Sequence, residues 1–511
     1  MRAGSRIFAR SRRLLLVVVL TLAVGPVAVA APLPMDPTDP TAPGGLVSAS
    51  QRLRAAVAPE AIVAHLRELD AIAAANGGTR ASGTPGYAAS RDYVVRRLRA
   101  AGYRPTVQPF DFAFYAERAP ATLRQLSPVP TTYEPRDDVV TMEYSGSGSV
   151  TGEVVAVDTD ATPTSSSTSG CEPADFADFP VGAVALVQRG GCLFADKVAQ
   201  ADTAGATAVI LFNHGADGEV RPVDGTLGEP VDLPVVAVGF AVGRDLAARS
   251  GTTVELVTDT ESGVRETWNV TAETRSGDQA NVVLAGAHLD SVNGGAGIND
   301  NGSGSATLLE IAEHMSVVEP RNQVRFAWWG AEERGLLGSA EYVSQLQQSN
   351  PGALSDIRLY LNVDMVGSPN YVRFVYDGDN SAFPVGPDAT AAPRGSAAIE
   401  TLFTSYFADQ GLASSPTAFD GRSDYGPFIE VGIPAGGLFS GAEGLKTARQ
   451  ALVYGGRAGE PYDSCYHEAC DTVSNTSTTA IDELSDALAH AVATYARTTD
   501  SLGPPAASNA D

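Results

Sequence analysis

The stretch from residue 281 to residue 304 concentrates side chains that can bind a metal ion. It opens with an apolar run, Val282 to Ala285, that predicts a buried strand, and it turns polar at His288 and Asp290. A glycine-rich loop follows and carries Asp300 directly ahead of an apolar-periodic helix. Because glycine permits tight turns, this loop can bring the three side chains to one point. The same pattern also fits a plain strand–turn–helix unit in which Asp300 caps the helix.

Two later apolar strands also end in acidic residues. Residues 323–329 lead to Glu332 and Glu333, and residues 359–363 lead to Asp364. Strands that are apolar on both faces are typical of a mostly parallel sheet covered by helices, where ligands bind beyond the carboxyl ends of the strands. The sequence therefore predicts an α/β fold with a mostly parallel mixed sheet and helices on both faces. A solvated turn is the alternative for the acidic pair, but a nearby cation would relieve the repulsion between two carboxylates in a cleft.

One histidine lies in a short segment bounded by cysteines, C-Y-H-E-A-C, from Cys465 to Cys470. A disulfide there would close a small ring around Tyr466 and His467, which suits a loop that must hold a ligand in place. A tethered loop without chemistry is the alternative. The other histidines are expected to be structural or surface residues: His65, His214, His314 and His490.

The chain has four cysteines, which predicts two disulfides if the protein is exported. Local spacing favours the pairs Cys171–Cys192 and Cys465–Cys470. A four-cysteine zinc site is the competing interpretation, although the sequence contains no C-x-x-C pair.

The first thirty residues have the features of a secretory signal peptide. A basic start precedes an apolar core, Leu14 to Val24, and the small-residue run Ala28-Val29-Ala30 is typical of a cleavage site. An uncleaved membrane anchor is the alternative, and no later segment is long enough to span a membrane. The formal net charge of −25 argues against nucleic-acid binding. We therefore expect a secreted, extracellular protein without stable membrane insertion.

A chain of 511 residues is long for one domain, so two are expected. Helical patterns at 58–75 and 87–100 and a strand at 106–114 open an α/β domain, which is then interrupted and resumes near residue 267. The predicted divisions are a signal peptide (1–30), a leader or short pro-segment (31–57), the first part of the main domain (58–118), an insert (119–266), the second part with the metal site (267–500) and a flexible tail (501–511).

The insert resembles the protease-associated domain that recurs in secreted peptidases, which implies a β-rich α+β unit. Residues 182–213 are predicted to form a strand, a helix and a second strand. The matching positions are Arg189-Gly190, Cys192, Phe194, Lys197, Ala204-Gly205-Ala206 and Leu233-Pro234-Val235.

Six runs in the main domain resemble the secreted bacterial two-zinc aminopeptidases of the leucyl-type aminopeptidase S group. They are G-A-H-L-D-S-V, G-I-N-D-N-G-S-G, F-A-W-W-G-A-E-E, L-N-V-D-M-V-G-S, D-G-R-S-D-Y-G-P-F and C-Y-H-E-A-C-D. The resemblance covers about residues 58–115 and 267–497. Together with the insert, these residues also make the chain similar to aminopeptidase Y. It implies the zinc exopeptidase fold.

The resemblance also implies a role for each matching residue. Asp300 would bridge two Zn²⁺ ions, with His288 and Asp364 completing one site and Glu333 and His467 the other. Further roles follow in the same way: Asp290 would orient His288, Glu332 would be the general base, Tyr466 would stabilise the oxyanion and Arg422 would contact the substrate.

The implied activity is removal of the N-terminal residue, large and apolar such as Leu, Phe or Met, from peptides or proteins with a free N-terminus. A zinc-bridging water and the Glu332 base would carry it out, in a protein expected to be a monomer. Two alternatives stay open. One is another zinc exopeptidase or a cyclase on this fold, and the other is a catalytically dead peptidase-fold binding protein.

Relatives in this group can also hold calcium between an N-terminal Asp and two Asp on the last helix. Asp482 and Asp486 match the helix pair, but the N-terminal position falls near Ala56, which has no carboxylate. The calcium site is therefore not expected to be complete.

Overall fold

The computed structural model describes residues 43–159, 161–386 and 390–504, with side chains from residue 49 onward. The proposed signal peptide, the part of the proposed leader before residue 43 and the tail after residue 504 lie outside the described residues. The helices are α1 (Pro43–Ala56), α2 (Pro59–Ala75), α3 (Pro85–Ala100), α4 (Phe194–Thr203), α5 (Phe240–Ala247), α6 (Gly304–His314), α7 (Leu337–Ser349), α8 (Pro351–Ser355), α9 (Ser396–Asp409), α10 (Gly426–Glu430), α11 (Ala448–Tyr454) and α12 (Thr478–Tyr495). The strands are β1 (Thr106–Ser127), β2 (Thr131–Tyr133), β3 (Val139–Thr141), β4 (Gly148–Ala156), β5 (Val184–Gln188), β6 (Ala208–Phe212), β7 (Val235–Val238), β8 (Thr253–Glu273), β9 (Asp278–His288), β10 (Asn322–Trp329), β11 (Ile357–Val363), β12 (Phe374–Tyr376), β13 (Ser415–Thr417) and β14 (Ala435–Phe439).

The main domain is built on a mixed sheet in the order β13-β12-β14-β11-β9-β10-β8-β1. Its centre is parallel, since β14, β11, β9 and β10 all run in the same direction. Strand β8 joins antiparallel to β10, and β12 joins antiparallel to β14. These central strands are buried along almost their whole length, as expected for a sheet covered on both faces.

Helices cover both faces of this sheet, which confirms the predicted α/β fold. One face packs against α2, α3, α6 and α12 through a large apolar cluster that includes Leu66, Leu98, Leu309 and Leu488. The other face packs against α7 and α10, where Tyr360 and Phe428 stack with ring centroids 4.3 Å apart. The parallel strand ends that carry the candidate ligands are therefore held between two apolar layers.

In the insert, β4, β5, β6 and β7 are parallel and β3 pairs antiparallel with β7. Strand β4 also pairs antiparallel with β8, so these strands continue the sheet of the main domain. The predicted strand–helix–strand unit is present as β5, α4 and β6. Apolar clusters lie on both faces of these strands. The disulfide Cys171–Cys192 lies in this domain, with an S–S distance of 2.07 Å, and its pairing is the one that local spacing favoured.

A long antiparallel ribbon of β1 and β8 connects the two parts of the molecule. Its register runs from Thr106 opposite Thr271 to Ser127 opposite Thr253. For β1 the sequence indicated only a short strand at 106–114, because the later part of the strand contains charged residues that do not stand out as a strand. The proposed divisions at 118/119 and 266/267 both fall inside this ribbon.

The segment proposed as a leader contains α1, which packs against α12. Leu53 is fully buried in the main core, Arg54 lies 3.5 Å from Asp486, and Ser50 is 2.8 Å from His490. Within the described residues, no helix is both long and apolar enough to cross a membrane.

Candidate metal centre

Three neighbouring strands deliver the candidate ligands to one edge of the sheet. Strand β9 ends at His288, β10 ends three residues before Glu332, and β11 ends immediately before Asp364. In the register of β9 and β10, His288 lies opposite Trp329. Because these strands are parallel and adjacent in the order β11-β9-β10, their carboxyl ends meet at the same place.

The side chains form two groups of three that share one carboxylate. Nε2 of His288 lies 3.2 Å from Oδ1 of Asp300 and 3.2 Å from Oδ1 of Asp364. Nε2 of His467 lies 3.2 Å from Oδ2 of Asp300 and 3.1 Å from Oε2 of Glu333. The two oxygens of Asp300 therefore face different groups.

Each group has the composition and the spacing of a zinc site. Imidazole nitrogen and carboxylate oxygen bind Zn²⁺ at about 2.0–2.2 Å, so tetrahedral ligands lie roughly 3.3 Å from one another. The separations of 3.1–3.2 Å between imidazole and carboxylate match that edge. Oε1 of Glu333 is also buried without a hydrogen-bond partner, which a cation would satisfy. The residues present therefore fit two metal ions bridged by Asp300.

The pKa shifts report a strongly acidic site enclosed by protein. Burial raises the pKa of Glu332 well above its usual range, and the carboxylates of Asp364 and Glu333 add to the shift. Burial likewise raises the pKa of Glu333 to about 7. Burial opposes the charged form of His467, but hydrogen bonds to Asp300 and Glu333 prevail and raise its pKa to about 10. A bound cation would relieve the repulsion among these carboxylates.

The loop that carries Asp300 is anchored by two residues that the sequence analysis did not single out. Arg80 is fully buried and donates to the carbonyl oxygens of Ala296, at 2.8 Å, and of Leu289 and Gly297. Asp471 accepts the backbone N–H groups of Asn299 and Asp300 at 2.7 and 3.0 Å. Two sequence features could have identified them: Arg80 lies within a helix-breaking run, and Asp471 directly follows Cys470. The peptide bond between Asp300 and Asn301 is cis.

Asp364 is held by a hydroxyl and an amide. Ser423 donates to its Oδ2 at 2.6 Å, and Asn362 donates to Ser423 at 2.9 Å. The nearby Asp424 was also missed by sequence reasoning, although it lies in the D-G-R-S-D run. Both of its carboxylate oxygens are buried without a hydrogen-bond partner, and burial raises its pKa to about 7.

His467 and Tyr466 lie in the ring closed by Cys465–Cys470, whose S–S distance is 2.05 Å. His467 has a φ of 59°, in the left-handed region, and its ring stacks on Tyr466 with centroids 3.8 Å apart. The imidazole is 41% exposed, whereas that of His288 is 1% exposed. The ring therefore carries the more exposed of the two candidate ligand histidines.

A pocket of about 460 Å³ opens onto the metal centre. Its lining includes four of the five candidate ligands, together with Tyr466, the expected oxyanion stabiliser, and Arg422, the expected substrate contact. Aromatic side chains form much of the remaining wall: Phe374, Tyr376, Phe383, Tyr425, Phe439 and Tyr462. Asp290 lies beneath the site, with Oδ1 3.6 Å from Nδ1 of His288, and accepts the backbone N–H of Glu332 at 3.3 Å.

Two family models match the chain. Residues 269–492 match Peptidase family M28, and residues 150–246 match the PA domain. The first match contains all five candidate metal ligands, and the second lies within the insert.

Known proteins resemble the chain along most of its length. An aminopeptidase of Pseudomonas aeruginosa is 47% identical over 84% of this chain and 79% of its own length. The "Probable lipoprotein aminopeptidase LpqL" of Mycobacterium tuberculosis is 46% identical over 89% of this chain and 87% of its own. Leucine aminopeptidase 2 of Arthroderma otae is 39% identical over 82% of this chain and 80% of its own length.

The fold is similar to that of a solved aminopeptidase from Aneurinibacillus sp. strain AM-1. The TM-score is 0.62 at 27% identity, with 88% of this chain and 96% of the other covered. The chain therefore belongs to Peptidase family M28, among its aminopeptidases, and carries a PA domain inserted in the peptidase.

Proposed function

We propose that this protein is a secreted di-zinc aminopeptidase that removes a large apolar residue from the N-terminus of peptides. The observation that carries the proposal is the division of Asp300 between two complete ligand groups, one with His288 and Asp364 and one with Glu333 and His467. A one-zinc cyclase would not need the second group, and a dead binding protein would not need to keep every ligand and the base. The two disulfides support an oxidising, extracellular location.

His288 and Asp364 would hold one Zn²⁺, Glu333 and His467 the other, and Asp300 both. Bound zinc would supply Lewis-acid polarisation of the scissile carbonyl and lower the pKa of a water at the site. Asp290 lies on the far side of the His288 imidazole, where it would fix the ring orientation and increase its basicity.

Glu332 is the side chain we assign as general base. Its Oε2 lies 3.9 Å from Nε2 of His288, farther than the carboxylates of Asp300 and Asp364 at 3.2 Å, so we assign it as the base rather than as a ligand. Burial raises its pKa, as suits a base that must accept a proton near neutral pH. It would take a proton from the attacking water and pass it to the leaving amine.

Tyr466 and Arg422 both line the pocket and would act on the substrate. The Tyr466 hydroxyl would donate to the oxygen on which negative charge develops, and burial raises its pKa, so it would stay protonated at neutral pH. The aromatic wall of the pocket suits a large apolar side chain of the substrate. Carboxylates of the pocket lining would attract the free α-amino group of the peptide. The names of the Arthroderma relatives, leucine aminopeptidases, agree with this preference.

The test combines metal analysis with a substrate panel. We expect two Zn²⁺ per chain, reversible loss of activity with a chelator, turnover of Leu-p-nitroanilide and free Leu-peptides, and no turnover of the same peptides after N-acetylation. An active protein with one zinc would contradict the two-metal assignment. Equal hydrolysis of acetylated peptides would contradict the aminopeptidase assignment.

A further inference from the structure

A second and larger cavity lies beside the metal centre, between the PA domain and the peptidase. It has a volume of about 940 Å³, within the range of about 300–1,000 Å³ that is usual for ligand sites. Three walls enclose it. The ribbon contributes Tyr115 and Glu117, the PA domain contributes the edge strand β3 and the segment 221–226, and the peptidase contributes Asn293 and Arg334.

Specific contacts fix these walls relative to one another. Asn293 and Arg334 both donate to the carbonyl oxygen of Tyr115, at 2.7 and 2.9 Å. Across the cavity mouth, Thr141 donates to Glu117 at 2.6 Å. These hydrogen bonds hold the walls of the cavity in place. We call this cavity the ribbon cleft.

The ribbon cleft meets the catalytic pocket at Glu333, which lines both. Aromatic side chains line much of the catalytic pocket, where the proposed function seats the first substrate residue. The remainder of a peptide must leave the metal centre by another route. The route past Glu333 leads directly into the ribbon cleft.

Two exposed guanidinium groups line the ribbon cleft on its PA-domain side. Arg136 is 74% exposed and lies 3.7 Å from Glu117, and Arg221 is 80% exposed and lies 3.7 Å from Asp137. Ion pairs at such distances between exposed groups contribute little, so both arginines can exchange partners at small cost. Guanidinium is suited to carboxylates, which it can bind through two parallel hydrogen bonds.

We propose that the ribbon cleft binds the part of a peptide substrate that follows the scissile bond, and that Arg136 and Arg221 pair with carboxylates of that part. The ligand class is a peptide longer than a dipeptide with an acidic side chain or a free C-terminus beyond its second residue. The inference rests on the proposed function for the direction of the chain. It gives the PA domain the task of selecting substrates by length and charge.

The experiment compares Leu-p-nitroanilide, Leu-Gly, Leu-Gly-Gly-Gly-Glu and the amidated peptide Leu-Gly-Gly-Gly-Lys on the zinc-loaded full chain. We expect kcat/KM to be highest for the acidic pentapeptide. Arg136→Ala/Arg221→Ala should lower that value roughly 2- to 30-fold, the effect of losing two partly exposed ion pairs, and should leave Leu-p-nitroanilide unchanged. Arg136→Lys/Arg221→Lys should restore part of the loss because it keeps the charge.

The matched control is Arg118→Ala/Arg124→Ala. These arginines lie on the same ribbon, are 57% and 56% exposed and pair with Glu261 and Glu255, but they do not line the cleft. The control should leave all four substrates unchanged. Equal effects of the two double variants, or an equal loss on every substrate, would overturn the proposal.

A binding measurement separates this inference from the proposed function. In a Glu332→Gln background, calorimetric titration should show tighter binding of the acidic pentapeptide than of Leu-Gly, and Arg136→Ala/Arg221→Ala should abolish the difference. Turnover of Leu-p-nitroanilide without this difference would overturn the ribbon cleft alone. Absence of turnover in the wild type, with the difference present, would overturn the catalytic proposal and keep the cleft.

Discussion

Arg334 donates through Nη2 to the carbonyl oxygen of Tyr115 at 2.9 Å, while its Nη1 lies 3.4 Å from Oε1 of Glu143. Arg334 directly follows Glu333 in the chain. The residue beside a metal-ligand candidate thus contacts both the ribbon and the PA domain. The Tyr115 contact is made by the part of the ribbon nearest the peptidase.

We predict that the PA domain is dispensable for hydrolysis of small substrates if this contact is kept. Replacing residues 118–259 by a two-residue hairpin turn would retain Tyr115. Of the two Arg334 contacts it would remove only the partly exposed pair with Glu143, worth about 0–1 kcal/mol. Turnover of Leu-p-nitroanilide and zinc content should be retained. A folded deletion variant that bound zinc but had no activity would show that the insert helps to build the catalytic site.

The two adjacent glutamates should respond differently to the same substitution. Glu332→Gln should keep both zinc ions and lower kcat by about 10²–10⁴-fold, because an amide keeps the shape but cannot accept a proton. Glu333→Gln should lose zinc, since its Oε2 lies 3.1 Å from Nε2 of His467 within a ligand group. Measuring kcat and zinc content side by side tests both roles. Near-normal kcat in the first variant or full zinc occupancy in the second would reverse the assignment.

The sequence predicted the strand-end ligands because parallel, buried strands force their carboxyl ends together. His288, Glu333 and Asp364 follow runs so apolar that their position at the sheet edge could be read directly. Arg80 could not be found in this way. It lies more than 200 residues before Ala296 and Gly297, and only the packing of α2 and α3 against α6 brings it under their carbonyl groups.

The long ribbon and the ribbon cleft were also beyond sequence reasoning. Strand β1 carries exposed charged residues such as Arg118 and Arg124, which pair with Glu261 and Glu255 on β8. A strand of that kind is stabilised by its partner rather than by its own apolar pattern. The cleft is lined by residues from five separate stretches of the chain, so no local sequence motif predicts it.

Arg80 should be needed for zinc affinity although it lies outside the ligand set. Arg80→Lys keeps the charge but loses the planar fork that donates to three carbonyl groups, and we expect a loss of roughly 3 kcal/mol in the free energy of unfolding. Zinc affinity should fall about 10- to 100-fold, as is typical for residues that orient ligands. The control is Arg97→Lys, at a surface pair with Glu313 in which Arg97 is 44% exposed. Unchanged zinc affinity in Arg80→Lys would contradict this role.

The small disulfide ring should matter more for metal binding than for stability. Cys465 and Cys470 are 5 residues apart, so their bond closes a short loop and its effect on unfolded-state entropy is limited. The ring holds His467 with a positive φ, so Cys465→Ser/Cys470→Ser should weaken zinc binding while the unfolding temperature changes little. The matched variant Cys171→Ser/Cys192→Ser should keep zinc affinity. A large fall in unfolding temperature with unchanged zinc affinity would oppose this prediction.

His490 should make stability depend on pH between 6.5 and 4. Burial and the Arg54 guanidinium lower its pKa to about 4, against a weaker opposite effect from Asp409. The unfolded chain therefore binds a proton in this window that the folded chain does not, so stability is lost as the pH falls from 6.5 to 4, by up to about 3 kcal/mol. Thermal unfolding in EDTA, which removes metal effects, should show this loss in the wild type and a smaller one in His490→Gln. Identical profiles for wild type and His490→Gln would contradict the assignment.

The ribbon of β1 and β8 has a consequence for how the chain reaches its native state. The two strands pair along their length, yet the last paired residue of β1 and the first of β8, Ser127 and Thr253, are separated by the whole PA domain. Bringing the ends of so long a free segment together costs loop-closure entropy before any ribbon contact forms. A PA domain that has already folded holds its two ends side by side and removes most of that cost. During synthesis, folding of the insert would thus bring β1 and β8 together. These two strands would join the peptidase sheet only after the PA domain between them has folded.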